Sequence, residues 1–368
     1  MLGETNFTKP VLIAIASGKG GVGKSVISAS MGVGFSMLKQ KTVVVDADFG
    51  GSNLHQIVGM PKPAMTYQDY QVGRVEHLND IVIEHPRFEN LGMIFGAAGS
   101  YGMANEKYFS RLKFLRSLRT IEADVIILDL GAGSRYQVLD LFSVADHGIV
   151  VLNPDPLSLS ESFNFIKQVV VRNLSRTLKK YPEVQASVQE FAKKETFRAN
   201  INVGDLIDHI EQINDQVSAQ LKARIDRLQI SLLLNKVTDD GQVTEAGAVQ
   251  KALKDMLSIQ TDFMGLVHQT AVIDRSLKEG TPFIAFDPKS MAARDLANII
   301  LVKLLHRNRF SAFWDRRTMT RQMEEQEGGM PEVMCTVNCM YWEECGYREG
   351  GFPCKLKHMA ELGFQEDT

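Results

Sequence analysis

One segment constrains the fold more than any other. Residues 18 to 25 read Gly18-Lys19-Gly20-Gly21-Val22-Gly23-Lys24-Ser25, which fits G-x-x-x-x-G-K-[ST]. It directly follows the apolar run Val11 to Ala16 and directly precedes a helical stretch, Ser25 to Lys39. A strand, a glycine-rich turn and a helix in that order make a phosphate loop. Glycines let backbone N–H groups turn inward around an anion, and the helix N-terminus adds its dipole and free donors. Lys24 is then placed to reach the β- and γ-phosphates, and the Ser25 hydroxyl to bind Mg²⁺.

The rest of the N-terminal two-thirds supplies a sheet for that loop. Thr42 to Asp46, Leu91 to Phe95, Asp124 to Asp129, Gly148 to Leu152, Ile230 to Asn235 and Met264 to Val267 are short runs rich in Val, Ile and Leu, without polar alternation. Strands covered on both faces read this way. Helical stretches such as Tyr108 to Ile121 lie between several of them, so a doubly wound, mostly parallel α/β sheet flanked by helices is expected. From about residue 172 to 228 the strand signal stops. Leu206, Ile210, Ile213, Val217, Leu221, Ile225 and Leu228 recur at helical spacing there, predicting one amphipathic helix of about six turns. A Lys-rich helix containing Leu174, Leu178 and Tyr181 is expected before it. Such an insertion either packs on the sheet or serves as an arm for a partner or a dimer. A last core-facing helix is expected to begin near Ser290, and the main domain to end near residue 305.

Composition narrows the class. With 44% hydrophobic residues the 368-residue chain can bury a full core, which excludes a largely disordered protein. The 41 Lys and Arg against 44 Asp and Glu leave a net charge of −3, which argues neither for nor against nucleic acid. No apolar run approaches the roughly 20 residues that span a bilayer, and the first ten residues carry no export leader. A cytoplasmic location is expected, with peripheral attachment to a membrane open.

The second lysine of the loop, Lys19, gives the segment its family resemblance. K-G-G-x-G-K-[ST] is similar to the deviant Walker A motif of the MinD/ParA family of P-loop ATPases, and the resemblance covers roughly residues 10 to 305 apart from the insertion. In that family the extra lysine reaches across a dimer interface to the partner's nucleotide, so the resemblance implies ATP and Mg²⁺ as ligands and an ATP-dependent homodimer. Asp46-Ala47-Asp48, followed by Gly50-Gly51-Ser52-Asn53-Leu54, resembles the family's switch I. It implies that Asp48 positions the attacking water and contacts Mg²⁺, with Asp46 in support. Asp129 closes an apolar run in Walker B style and would hold Mg²⁺ through water, with Gly131 to Gly133 as the switch II turn. The Asp129-Leu130-Gly131-Ala132-Gly133 turn looks more like that of flagellar-number regulators than that of division-site MinD proteins. Asn235, before Lys236, matches the family's adenine-binding Asn, whose amide suits a purine edge. The family's I-P-x-D reads Val267-His268-Gln269 here, a departure beside the base.

Two segments lie beyond the resemblance. Residues 306–329 form a basic stretch with Phe310, Phe313 and Trp314 interleaved, then a polar linker; the stretch either packs on the core or sits on an anionic membrane or DNA surface. All four cysteines fall in the tail, 330–368, as Cys335, Cys339, Cys345 and Cys354, spaced C-x3-C-x5-C-x8-C. Four thiolates suit an iron–sulfur cluster, such as 4Fe-4S, or Zn²⁺, but the spacing matches neither a zinc ribbon nor a ferredoxin run. The leading functional reading is an ATP-hydrolysing switch that places or assembles a protein partner. Its alternative couples the ATPase to a metal on the tail, as a redox sensor or cluster carrier.

Overall fold

The computed structural model describes residues 9–48, 51, 54–61, 63, 65–96, 108–195 and 202–306. Along the chain the elements are β1 (Val11–Ala16), α1 (Lys24–Met37), β2 (Thr42–Ala47), α2 (Leu54–Val58), α3 (Tyr67–Gln71), β3 (Ile83–Glu84), β4 (Leu91–Ile94), α4 (Tyr108–Ser117), β5 (Val125–Leu130), α5 (Tyr136–Phe142) and β6 (His147–Leu152). They continue as α6 (Pro156–Leu178), α7 (Pro182–Glu195), α8 (Val203–Ile213), α9 (Asp215–Asp226), β7 (Ile230–Val237), α10 (Val243–Leu257), β8 (Asp262–His268), α11 (Ala271–Lys278), α12 (Phe283–Phe286) and α13 (Met291–Asn298).

The eight strands form one sheet in the order β3-β4-β2-β5-β1-β6-β7-β8. Every neighbouring pair is parallel except β3 with β4. The sheet is therefore doubly wound as the alternation of apolar runs predicts. Among the described residues only the two-residue β3 is an addition, too short to carry a sequence signal. Alternate residues of β1 feed two cores: Leu12, Ala14 and Ala16 face one side, Ile13 and Ile15 the other. The first side is covered by Leu139 of α5, Ile166 and Val169 of α6, and Leu253 of α10. The second is covered by Ile27, Met31 and Phe35 of α1, Phe283 of α12 and Leu296 of α13. Connections leaving β1 and β5 thus pass to opposite faces, which opens a crevice between the carboxyl ends of those two strands. Register sharpens the crevice, since Asp129 lies opposite both Ile15 of β1 and Asp46 of β2.

The insertion differs from the expected single helix. Asn214 interrupts it: its backbone is extended (φ −155°), its N–H bonds Ile210 to close α8, and its side chain accepts from Val217 to open α9. Apolar spacing continues across the break because both helices bury into the same core, through Ile207 and Ile210 on one side and Val217, Leu221 and Ile225 on the other. Periodicity reads the shared core and is blind to the cap between the helices. Leu174 and Leu178, expected in a separate helix, end the 23-residue α6. The last core helix starts where expected, with the Ser290 hydroxyl accepting from the Ala293 N–H. No helix among the described residues is long and apolar enough to cross a membrane.

Leu221 is fully buried where α9 packs on α6. We predict that Leu221→Ala lowers unfolding free energy by about 2–5 kcal/mol in urea denaturation. A loss below about 1 kcal/mol would mean that the insertion unfolds independently of the sheet.

Candidate nucleotide-binding site

The loop between β1 and α1 is shaped by its glycines at two decisive points. Gly23 has φ 98°, in the left-handed region open to glycine, and hands the chain into α1. Gly18 passes so close to α6 that an added Cβ would run into the Glu161 carbonyl and lie 2.7 Å from the Ser162 nitrogen. No side chain caps α1 and no acidic residue occupies its first turn. The donors of that helix end, and its positive dipole, are therefore left for an anion.

Two consecutive side chains of β7 grip the outside of the loop. Asn235 Nδ2 donates to the Val22 carbonyl at 2.7 Å, and Lys236 Nζ to the Gly21 carbonyl at 2.8 Å. In a regular strand neighbouring side chains point to opposite faces. Here Lys236 has φ 58° and the pairing with β8 slips between Asn235 and Val237, so both side chains reach one side. Asn235 is buried, and its Oδ1 has no hydrogen-bond partner.

Lys24, Ser25 and Asp129 meet in the crevice. Asp129 is buried and accepts from the Ser28 hydroxyl at 2.9 Å; Ser28 also donates to the Lys24 carbonyl. Burial pushes the Asp129 carboxyl up to about 6, against the opposing pull of the Ser25 hydroxyl, the Lys24 ammonium and Ser28, while the Asp48 charge pushes the same way as burial. Asp48 lies against the Gly131 α-carbon, where an added Cβ would sit 2.9 Å from its Oδ1. Asp46 is buried and accepts from the N–H groups of both Asp48 and Leu54, holding the backbone on either side of residues 49–53. The switch-like turn is fastened by Gly133 N–H to the Ser17 carbonyl at 3.1 Å. Two carboxylates and a hydroxyl gathered beside a phosphate cradle are oxygen donors of the kind Mg²⁺ takes. Gly50, Ser52 and Asn53 lie outside the described residues, as do the basic stretch from residue 307 onward and Cys335, Cys339, Cys345 and Cys354. Among the described residues no group of three or more His, Cys, Asp or Glu can hold a metal ion by itself.

Lys19 pairs with Asp155 Oδ1 at 3.6 Å, both side chains about two-fifths exposed. Asp155 also caps α6 by accepting from the Ser158 N–H. Tyr136 and Leu157, at the starts of α5 and α6, leave large apolar surfaces in solvent.

Residues 13–283 match the CobQ/CobB/MinD/ParA nucleotide binding domain. The chain belongs to this family. An uncharacterised ATP-binding protein of Methanocaldococcus jannaschii is 34% identical over 161 residues, covering 42% of this chain and 58% of its own length. The antiactivator FleN of Pseudomonas aeruginosa is 27% identical over 158 residues, covering 42% and 55%. The match therefore spans little more than half of either relative. Among solved structures, the septum site-determining protein MinD complexed with Mg-ADP from Pyrococcus horikoshii superposes with a TM-score of 0.52 at 18% identity, over 87% of this chain and 98% of that one. That likeness concerns the MinD/ParA fold.

Against the MinD/ParA pattern, the residue at the end of β8 stands out. His268 replaces the proline of I-P-x-D and forms a network that sequence reasoning missed. Its Nδ1 lies 2.7 Å from Asp295 Oδ2 on α13, its Nε2 2.9 Å from Asp240 Oδ1 after β7, and its backbone N–H also donates to Asp295. The departure from proline was the only available signal, since both partners come from remote segments. Burial opposes a charged ring, but the hydrogen bonds and charges of Asp295 and Asp240 outweigh it and raise the His268 pKa above its ordinary 6.5. Stability from this network is therefore complete below about pH 6.5 and is lost as pH rises through the raised value. We predict that wild-type protein loses more of its urea midpoint between pH 6 and pH 8.5 than His268→Gln does. Parallel pH profiles would show that the network does not titrate in that range.

Proposed function

We propose that the chain is an ATP-binding and ATP-hydrolysing switch of the MinD/ParA type, in which ATP joins two copies and hydrolysis releases them. The convergence of Lys24, Ser25, Asp129 and Asp48 on the crevice carries this reading. The loop N–H groups and Lys24 bind the β- and γ-phosphates and offset the charge of their oxygens. Ser25 and Asp129, with Asp48 beside them, would hold Mg²⁺, which neutralises phosphate charge when bound. Asp48 orients the attacking water toward the γ-phosphorus. Asn235 reads the base: its amide nitrogen is occupied by Val22, so the buried Oδ1 is left as an acceptor suited to the amino group of adenine.

Lys19 serves the other copy. Its pair with Asp155 is half-exposed, and such pairs contribute about 0–1 kcal/mol. A triphosphate on a facing copy would displace Asp155 readily. The exposed Tyr136 and Leu157 give that encounter apolar area. The assembled dimer would act on a protein partner, at a membrane or DNA surface or in the cytoplasm. Four thiols between residues 335 and 354 add a tail metal site, iron–sulfur or zinc, to the proposal. Iron and zinc analysis after anaerobic purification tests it, and a metal-free tail would remove it.

We predict that Lys24→Ala weakens ATP binding by about 100-fold or more, which is about 2.7 kcal/mol, measured by titration calorimetry. Unchanged affinity would remove Lys24 from the phosphate site. Asp48→Ala should bind ATP yet remain dimeric for many turnover times in size-exclusion chromatography; hydrolysis at the wild-type rate would exclude Asp48 from the reaction. Lys19→Ala should bind ATP with near-normal affinity and stay monomeric.

A further inference from the structure

The His268 ring sets a charge requirement at the end of β8. It is buried between two acids, with Nδ1 2.7 Å from Asp295 Oδ2 and Nε2 2.9 Å from Asp240 Oδ1. An ionised carboxylate accepts hydrogen bonds and donates none, and a neutral imidazole carries a single N–H. Both contacts are therefore hydrogen bonds together in the imidazolium and not in the neutral ring. A neutral ring turns one lone pair toward a carboxylate oxygen, and the two repel.

Burial decides which contact fails. Asp295 is fully buried, its Oδ1 has no hydrogen-bond partner among the described residues, and its Oδ2 takes both the ring and the His268 N–H. Losing the ring there would leave a buried charge with one donor, which is costly. Asp240 is about two-fifths exposed, so water can take the place of the ring. The neutral ring thus keeps its proton on Nδ1 and releases Asp240. Other charges on the packed elements are Arg294 beside Asp295, Lys236, whose Nζ is held by the Gly21 carbonyl, and Asp239, which caps its own turn. The charged groups of α10, and Lys303 beyond α13, are exposed.

A short length of backbone joins Asp240 to the glycine loop. Asp240 stands three residues after Val237, which is the register partner of His268 and whose carbonyl accepts from the Gln269 N–H at 2.8 Å. Asn235 pairs with Val267 in the same ladder, across the bulge at Lys236. The intervening turn is closed by its own caps, Gly241 N–H to Asp239 and Thr238 N–H to Gln242. Held at Asp240 by the ring, that closed turn fixes the end of the strand whose side chains grip the Gly21 and Val22 carbonyls.

We propose that His268, as an imidazolium, is a positioning residue for the glycine loop: by holding Asp240 it keeps Asn235 and Lys236 on the loop, so ATP binds the protonated protein more tightly. The inference rests on reading the crevice as an ATP site. A proline, the family's residue at this position, has neither ring nitrogens nor a backbone N–H to offer, so the device belongs to this chain. Coupling is reciprocal, and bound ATP in turn holds the proton on His268. Burial opposes the charged ring, but the two carboxylates outweigh it and raise the His268 pKa above 6.5. The tighter form therefore prevails below the raised value and is lost as pH climbs through it.

Titration calorimetry of the full chain with Mg-ATP at about pH 7 and about pH 9 tests the coupling. Asp129, pushed up to about 6, titrates below this window. Wild type should lose about fivefold or more in affinity between the two. His268→Gln should bind at both pH values as weakly as wild type does at the higher one. Asp240→Asn offers an amide N–H to the neutral ring nitrogen, so it should keep the tighter affinity throughout; it carries the test if His268→Gln fails to fold. A wild-type loss no larger than that of His268→Gln, or an Asp240→Asn protein that loses affinity as wild type does, overturns the coupling and leaves the ATP site standing. Wild type that binds no ATP at either pH overturns the site and the coupling together.

Discussion

Everything at the carboxyl edge of the sheet depends on keeping one acid, Asp129, inside the protein. Burial alone would drive it to the neutral form, and Lys24, Ser25 and Ser28 pull it back toward charge without restoring the ordinary value. The same contacts join β5 to the loop and to the first turn of α1. A carboxylate poised in this way is responsive to added positive charge, because a cation near it changes both its protonation and the balance of the lysine beside it. Fold and chemistry therefore share one set of hydrogen bonds here. Removing any of them would loosen the sheet edge and the crevice together.

The insertion adds a layer whose attachment is partly polar. Ile207, Ile210, Val217, Leu221 and Ile225 anchor it in the core on one face of the sheet. Arg224 and Asn173 make a second attachment that reaches, through Ser143 and the Asp140–Arg172 pair, to α5. α5 begins at Tyr136, three residues after Gly133 of the turn that faces Asp48. The helical layer is thus only one helix away from the crevice, although its sequence sits far from the glycine loop.

The site's legibility in the sequence follows from how local each feature is. Residues 18–25 carry loop, helix start and two lysines in one stretch, so the motif could be read directly. Asp48 and Asp129 were legible as acids at strand ends, because a parallel sheet gathers those ends. Asn235 was legible as a polar residue near the end of an apolar run, but its grip on Val22 was not. That contact needs a bulge at Lys236, and Lys236 itself has no local signal for its left-handed backbone. The role of His268 was hidden for a different reason: its partners come from separate segments that only the finished fold brings together. The break at Asn214 was masked by an apolar spacing that both flanking helices obey.

The grip of Asn235 and Lys236 on the loop has a thermodynamic consequence. In a trans peptide the carbonyl and the following N–H point in opposite directions. Tying the Gly21 and Val22 carbonyls to β7 therefore turns the N–H groups of Val22 and Gly23 the other way, toward the cradle. Two peptide planes of the anion site are set by a strand, with no help from the anion. Their conformational entropy is surrendered when the chain folds, so a phosphate arriving there would meet a rigid receptor and keep more of its interaction energy as affinity.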